Sequence, residues 1–223
     1  DAGASRRLTM QNFYARWARL YDLLAAAPGV NSWRERTVEA LALQPGDTVV
    51  EMGCGTGANV PHLREAVGPE GRVVGVDATR GMLARAGSHS ERTGSTVEYL
   101  QGDATRPPLA AADAVLATFV VGMFAEPARV VAEWADLVDP GGRVALLNFQ
   151  RSDRPVAAPL NVAFEGFVRI SSPGDRLSPT SQAETFESRV RAAREALVAR
   201  TTDRRFETFA GGFVGLLSGR IEG

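Results

Sequence analysis

Lysine is missing from this 223-residue chain, and all 25 of its basic residues are arginines. The absence excludes a Schiff-base lysine and the lysine of a phosphate-binding P-loop. Cysteine occurs once, at Cys54, and histidine occurs twice, at His62 and His89. One cysteine cannot form an intramolecular disulfide, and so few nitrogen and sulfur ligands argue against a metal site. We therefore predict that the protein holds no metal.

Long hydrophobic runs are missing as well. No apolar stretch approaches the roughly 20 residues that a membrane-spanning helix needs, and the first seven residues are small or polar, unlike a secretory signal. The formal net charge is only -1, so the composition does not indicate a positively charged surface for binding nucleic acid. These absences predict a cytoplasmic protein that does not bind nucleic acid and whose contact with a membrane is peripheral at most.

Short β-rich segments alternate with helical segments through the middle of the chain. The predicted strands are 48–52, 72–76, 97–101, 114–121 and 143–149, and the predicted helices are 59–67, 80–92 and 128–137. Alternation with short connections indicates an α/β fold, in which a parallel sheet carries helices on both faces.

The flanking segments have a different pattern. Apolar residues at helical spacing predict a helix over 8–26, and Ser32 followed by Glu35 predicts a capped helix over 32–43. Near the end, a further amphipathic helix precedes two predicted strands, 205–209 and 213–217, which Gly211-Gly212 joins, and this is typical of a hairpin.

We interpret all 223 residues as one domain. Its expected parts are a helical cap at 1–44, a ligand-binding core at 45–150, a lid or acceptor insertion at 151–180, and a helix with the closing hairpin at 181–223.

A glycine-rich turn follows the first predicted strand. The strand ends with Glu51, and glycines occupy positions 53, 55 and 57. Glycine lets the backbone approach a bulky ligand closely and turn into a helix. The N–H groups at such a helix start suit a pyrophosphate, but the Glu51 carboxylate would repel phosphate. The acid indicates a ligand with a cationic amino group instead.

Further candidate residues lie where the next strands end. Asp77 comes 20 residues after Gly57 and can accept hydrogen bonds from both hydroxyls of a ribose. Asp103 follows the third strand, where it can hold the amino group of an adenine. Thr118 and Phe119 lie at the carboxyl end of the fourth strand, which borders the ligand crevice of such folds.

Taken in order, these motifs resemble those of the class I S-adenosylmethionine-dependent methyltransferases. The matching segments are 51–57, Gly75-Val76-Asp77, Gly102-Asp103-Ala104 and Asp139-Pro140-Gly141-Gly142-Arg143. The resemblance implies a Rossmann-like, mostly parallel seven-stranded sheet with a C-terminal antiparallel hairpin and an N-terminal helical cap. It also implies S-adenosyl-L-methionine as the cofactor and direct methyl transfer as the reaction.

The resemblance further implies which residues contact the cofactor. They are Tyr21, Glu51, Gly53, Cys54, Gly55, Thr56, Gly57, Asp77, Ala78, Met82, Asp103, Ala104, Thr118 and Phe119. It assigns no catalytic residue.

Two further segments narrow the resemblance. Residues 17–22 and Ser32-Trp33-Arg34 are similar to the methyltransferases of ubiquinone and menaquinone biosynthesis and to bacterial phospholipid N-methyltransferases. This implies a small, flat or lipid-like methyl acceptor, either a quinone-type ring or a phospholipid head group. We expect it beneath the N-terminal helix and the 151–180 insertion, which carries Phe164 and Phe167.

Two other functions stay open on the sequence. Gly53-x-Gly55-x-x-Ala58 also fits a dinucleotide fingerprint, as in an NAD-dependent oxidoreductase, and the chain could serve as a non-catalytic, cofactor-binding partner protein. Cys54 is interpreted as a small packing residue rather than a nucleophile, since no motif for covalent chemistry surrounds it.

Overall fold

The protein is described by a computed structural model that covers residues 29–162 and 179–222. Seven strands form its centre. They are β1 (Thr48–Met52), β2 (Arg72–Asp77), β3 (Glu98–Gln101), β4 (Ala112–Thr118), β5 (Val138–Phe149), β6 (Thr201–Phe209) and β7 (Val214–Ile221).

Five helices with defined bounds surround the sheet in these residues, and 158–162 are helical as well. The five helices are α1 (Val30–Glu39), α2 (Val60–Val67), α3 (Arg80–Thr93), α4 (Pro127–Leu137) and α5 (Pro179–Arg200). Short 3-10 turns lie at Val121–Met123, Pro155–Ala157 and Ala210–Gly212. The predicted helix over 8–26, with Tyr21, lies outside the described residues, as do Phe164 and Phe167.

The seven strands form one sheet in the order β3-β2-β1-β4-β5-β7-β6. The first five strands of this order run parallel, while β7 is antiparallel to both β5 and β6. The chain order reverses between β1 and β4, and ligands of open α/β sheets bind at the carboxyl edge of such a switch point. The predicted fold class, including the reversed final strands, is therefore confirmed.

Helices cover both faces of the sheet, as the outer strand β6 illustrates. Successive side chains of a strand point to opposite faces. Glu207 is hydrogen-bonded by Arg36 of α1 at 3.2 Å, whereas the neighbouring Phe206 lies under the guanidinium of Arg194 in α5, 5.7 Å from the ring centroid. The helices α1 and α5 therefore lie on opposite faces.

The core forms one continuous hydrophobic cluster. It joins the inner strands to α2, α4 and α5, and Trp134, Met52 and Leu63 are among its largest fully buried side chains. Burial of apolar surface on this scale is the main stabilising term of folding.

Two local predictions were wrong. Ser32 does not cap α1, since the helix begins at Val30 after Gly29, whose φ of 90° takes the N-cap position. Ser32 instead donates to the Gly29 carbonyl at 2.7 Å. The fourth strand ends at Thr118, before the predicted residue 121, because Phe119 turns into the left-handed region at φ 59°.

The fifth strand begins earlier than predicted. Val138 pairs with Ala112, but the next pair joins Arg143 to Ala114, so 139–142 bulge out of the ladder.

No helix of the described residues is both long and apolar enough to cross a membrane.

Candidate functional site

The predicted glycine turn lies at the carboxyl end of β1, next to the switch point. The N–H groups of Gly53 and Cys54 both donate to the Val76 carbonyl, at 2.8 and 3.0 Å. Gly53, Gly55 and Gly57 have φ values of 71°, 55° and 77°, a region that L side chains rarely adopt. The turn therefore depends on glycine and is tied to the neighbouring strand β2.

Each glycine has different surroundings. A Cβ at Gly53 would lie 2.9 Å from Val120, and one at Gly57 would lie 3.0 Å from the Tyr99 hydroxyl. Among the described residues, a Cβ at Gly55 would meet nothing within 4 Å. The middle of the turn is therefore open in the direction of this Cβ.

Asp77 lies at the end of β2 and contacts the turn directly. Its Oδ2 accepts the N–H of Gly55 at 3.0 Å, and its Oδ1 accepts the N–H of Thr79 at 2.8 Å. A carboxylate oxygen can accept more than one hydrogen bond. The half-buried Asp77 thus retains acceptor capacity while it holds the turn in place.

Glu51 lies beneath the turn and is completely buried. Asn59, the residue before α2, donates from Nδ2 to Glu51 Oε1 at 2.5 Å and to Thr118 Oγ1 at 3.1 Å. Glu51 Oε2 has no hydrogen-bond partner among the described residues. Burial raises the pKa of Glu51 to about 7, against the Asn59 hydrogen bond and the charge of Arg34, which lower it.

Sequence reasoning missed Asn59 and Arg34 as site residues. Arg34 belongs to α1 and is only 3% exposed, and its charge lowers the pKa of Glu51. For Asn59 the sequence offers only the signal of a helix cap, because asparagine is a typical residue before a helix. Here its side chain makes no cap hydrogen bond and contacts the buried acid instead.

A second turn at 102–106 follows β3. The N–H of Gly102 donates to the Asp77 carbonyl at 3.1 Å, and Asp103 Oδ1 accepts the N–H of Thr105 at 2.8 Å. Asp103 is exposed, whereas Ala104 is 8% exposed. This turn therefore lies directly beside Asp77, as expected for neighbouring strand ends.

Phe119 forms the border of this edge beyond β4. Its φ of 59° is a genuine outlier for a bulky residue, and such conformations cluster at functional sites. The conformation is held by a 2.7 Å hydrogen bond from its N–H to the Leu147 carbonyl and by a stacked contact with Phe149, with ring centroids 4.3 Å apart.

The remaining predicted residues lie around the same edge. Thr56 and Met82 are half-buried, and Ala78 is exposed. Cys54 is fully buried, and burial together with the charges of Glu51 and Asp77 raises the pKa of its thiol. A buried, protonated thiol is a poor nucleophile, which favours packing as the role of this side chain.

In the part of the chain that is described, no group of three or more histidine, cysteine, aspartate or glutamate side chains is arranged to hold a metal ion. The predicted Glu51, Asp77 and Asp103 instead give one edge of the sheet three acids around an open glycine turn. Such an edge can hold a ligand that carries positive charge, hydroxyl groups and an amino group.

Comparison with known proteins agrees with this geometry. A family profile described as a methyltransferase domain matches residues 50–146. A phosphatidylethanolamine N-methyltransferase from Cereibacter sphaeroides is 37% identical over 150 residues, which cover 65% of this chain and 70% of that protein. A 2-phytyl-1,4-naphtoquinone methyltransferase from Thermosynechococcus vestitus is 34% identical over 63% of this chain and 64% of that protein.

The fold has a clear match among solved structures. Magnesium protoporphyrin IX methyltransferase from Synechocystis PCC 6803, solved with bound SAH, aligns with a TM-score of 0.67 at 16% identity and covers all of both chains.

The chain spans 36%, 60% and 64% of the length of three curated relatives that it matches. These matches favour a methyltransferase over the NAD-dependent oxidoreductase. The chain belongs to the S-adenosylmethionine-dependent methyltransferase family.

Proposed function

We propose that the protein transfers a methyl group from S-adenosylmethionine to a small, flat or lipid-like acceptor. The observation that carries this proposal is the convergence of the glycine turn, Asp77 and the 102–106 turn at the carboxyl ends of three adjacent parallel strands. The reaction makes the protein a transferase of one-carbon groups.

The residues present fit this cofactor. S-adenosylmethionine carries a sulfonium and an amino group, both positive, and the site offers acids at Glu51, Asp77 and Asp103. Glu51 Oε2 is a buried oxygen without a hydrogen-bond partner in the described part of the protein, and such an atom is normally satisfied by a ligand or water. The open side of Gly55 leaves room for a ligand against the turn.

Each residue has a defined task in this proposal. Asp77 would accept hydrogen bonds from the ribose hydroxyls, and Asp103 would accept one from the adenine amino group. Glu51 would balance the positive charge of the amino group from beneath the turn. S-adenosylmethionine supplies a methyl group that the sulfonium charge already activates, so the chain has mainly to bind, orient and exclude water.

A cavity next to β5 supports a small acceptor. It has a volume of about 690 Å³. Its lining includes Phe149, Gln150 and Arg151 at the end of β5, together with Val190 and Arg194 of α5. Pockets for small molecules have volumes of about 300–1,000 Å³. The cavity combines apolar side chains with both arginines and glutamates, which suits an acceptor with both a flat or apolar part and a polar group.

The names of the relatives support the same class of acceptor. One is a naphthoquinone methyltransferase and the other a phosphatidylethanolamine N-methyltransferase. We therefore propose a quinone-type ring or a phospholipid head group as the first acceptors to test.

The proposal is tested by calorimetric titration with S-adenosylhomocysteine, S-adenosylmethionine and NAD. We expect the first two ligands to bind and NAD not to bind. Asp77→Asn should weaken binding about tenfold to a hundredfold, the usual range for hydrogen bonds to a charged group.

Asp113→Asn is the matched control. Asp113 also accepts a backbone N–H, that of Thr48 at 2.7 Å, but at the opposite end of β1. Its substitution removes the negative charge from the same kind of acceptor and should leave the dissociation constant unchanged. Equal losses in the two variants, or binding of NAD alone, would contradict the proposal.

Catalysis is tested with S-adenosylmethionine that carries a labelled methyl group. Label should appear in a quinol or in phosphatidylethanolamine. Tight cofactor binding without transfer to any acceptor would indicate the non-catalytic partner protein instead.

A further inference from the structure

Trp134 links α4 to the 102–106 turn. Its side chain is fully buried, and its indole N–H donates to the Ala104 carbonyl at 2.7 Å, across 30 residues of sequence. Because the bond is buried, water cannot replace it when it is lost, so its loss leaves the carbonyl without a donor. Nothing in the sequence motifs points to this residue.

The other hydrogen bonds of the turn are short-range or come from β2. The N–H of Thr105 donates to Asp103 Oδ1 at 2.8 Å, and the N–H of Arg106 donates to the Asp103 carbonyl at 2.9 Å. The N–H of Gly102 donates to the Asp77 carbonyl at 3.1 Å. Among the described residues, Trp134 is the one side chain from a distant helix that hydrogen-bonds to the turn backbone.

Packing fixes the direction in which the indole N–H points. The ring of Phe124 meets the Trp134 ring edge-on, with centroids 5.7 Å apart and planes at 80°. Phe124 follows the 3-10 turn after β4, on the other side of the switch point. Trp134 therefore packs against the chain beyond β4 while its N–H holds the turn after β3.

We propose that Trp134 is a positioning residue that fixes Asp103 and Ala104 for recognition of an adenine ring. The inference rests on the proposed function, since it assigns the adenine to this turn. Trp134 acts through the Ala104 carbonyl and does not itself touch the ligand.

The first experiment needs no ligand. Trp134→Phe keeps a ring against Phe124 but removes the indole donor, and Val131→Ala removes buried apolar volume from the same helix without a hydrogen bond. We expect amide hydrogen exchange at Thr105 and Arg106 to become about tenfold faster in Trp134→Phe, the size expected for one net hydrogen bond. Val131→Ala should leave both amides unchanged.

The second experiment measures which part of the ligand is affected. S-inosylhomocysteine differs from S-adenosylhomocysteine in carrying a carbonyl in place of the adenine amino group. Trp134→Phe should weaken binding of the adenosyl ligand about fivefold to tenfold and leave binding of the inosyl ligand unchanged. The dissociation constant of the inosyl ligand divided by that of the adenosyl ligand should therefore fall by the same factor. Val131→Ala should preserve the ratio.

The outcomes separate the two proposals. If the wild-type protein binds no adenosyl ligand, the proposed function fails, and the adenine role of Trp134 fails with it whatever the exchange rates show. If the wild-type protein binds the ligand, equal exchange in the two variants, or an equal loss of both ligands in Trp134→Phe, would overturn the positioning role alone.

Discussion

At the scale of single residues, the carboxyl of Glu51 has a pKa well above its ordinary value. Its carboxyl is fully buried, and this burial raises its pKa from 4.5 to about 7, although Asn59 and Arg34 act in the opposite direction. A carboxyl with a raised pKa binds its proton more tightly in the folded than in the unfolded chain. Folding therefore becomes less favourable as the pH rises through the interval between the two pKa values.

We expect the free energy of unfolding of the ligand-free protein to lose this contribution of Glu51 between about pH 4.5 and pH 7. Below this interval the group is protonated in both states, and above it the group is ionised in both. Glu51→Gln cannot ionise, so the variant should gain stability relative to the wild type as the pH rises. Urea unfolding at several pH values measures the difference.

The control is Glu65→Gln. Glu65 is an exposed residue on α2, and its substitution should leave the pH dependence of unfolding as in the wild type. If the Glu51→Gln and wild-type curves ran parallel, the buried carboxyl would already be ionised over the whole range.

The acids of the site could be predicted because each lies at or just after the carboxyl end of a strand, and parallel strands bring their carboxyl ends to one edge. Asn59, Arg34 and Trp134 could not be found in this way. Their roles depend on contacts between different elements. Asn59 and Arg34 lie 8 and 17 residues from Glu51, and Trp134 lies 30 residues from Ala104. None of these spacings forms a sequence motif.

At the scale of secondary-structure elements, substitutions in the glycine turn should affect stability and ligand binding to different extents. Gly55→Ala and Gly57→Ala both place a Cβ in the left-handed region, which costs roughly 1–2 kcal/mol. At Gly57 the Cβ also lies 3.0 Å from the Tyr99 hydroxyl and 3.3 Å from Ala86, and overpacking of this kind costs about 1–3 kcal/mol more.

Gly57→Ala should therefore be the less stable variant in urea unfolding. Gly55→Ala should be closer to the wild type in stability, yet its new methyl group projects to the open side of the turn, where we propose that the ligand binds. It should therefore lose more affinity for S-adenosylhomocysteine than its small loss of stability explains. Equal stabilities would show that backbone strain alone determines the cost at both positions, and the opposite order would contradict the prediction.

The elements themselves were predicted best where burial is two-sided. The bounds of β1 were predicted correctly, because its apolar residues are buried on both faces. The start of β6 at Thr201 was missed, since Thr202, Asp203 and Arg204 are exposed and polar. Thr202 pairs with Arg220 of β7, whereas Asp203 and Arg204 lie where the register of the ladder shifts. The strand is therefore extended by its partner, and these three residues show no apolar alternation that would predict it.

At the scale of the whole molecule, the site and the core are parts of one structure. The strands that carry Glu51, Asp77 and Thr118 are the inner strands of the sheet, and their buried residues belong to the single hydrophobic cluster. A ligand held at their carboxyl ends bridges β1, β2 and β4 at once. Its binding energy therefore stabilises the sheet as a whole against unfolding.

This connection gives a prediction for thermal unfolding. A ligand that binds only the folded state adds about 2.7 kcal/mol at a hundredfold excess over its Kd, which raises the Tm by roughly 5–10 °C for a domain of this size. We expect S-adenosylhomocysteine to produce such a shift, NAD to produce none, and Asp77→Asn to reduce the shift at equal ligand concentration. Calorimetric scans over a series of ligand concentrations measure it. A rise in Tm with NAD, together with no response to S-adenosylhomocysteine, would contradict the methyl-donor proposal, because a ligand raises the Tm only when it binds the folded state in preference to the unfolded state.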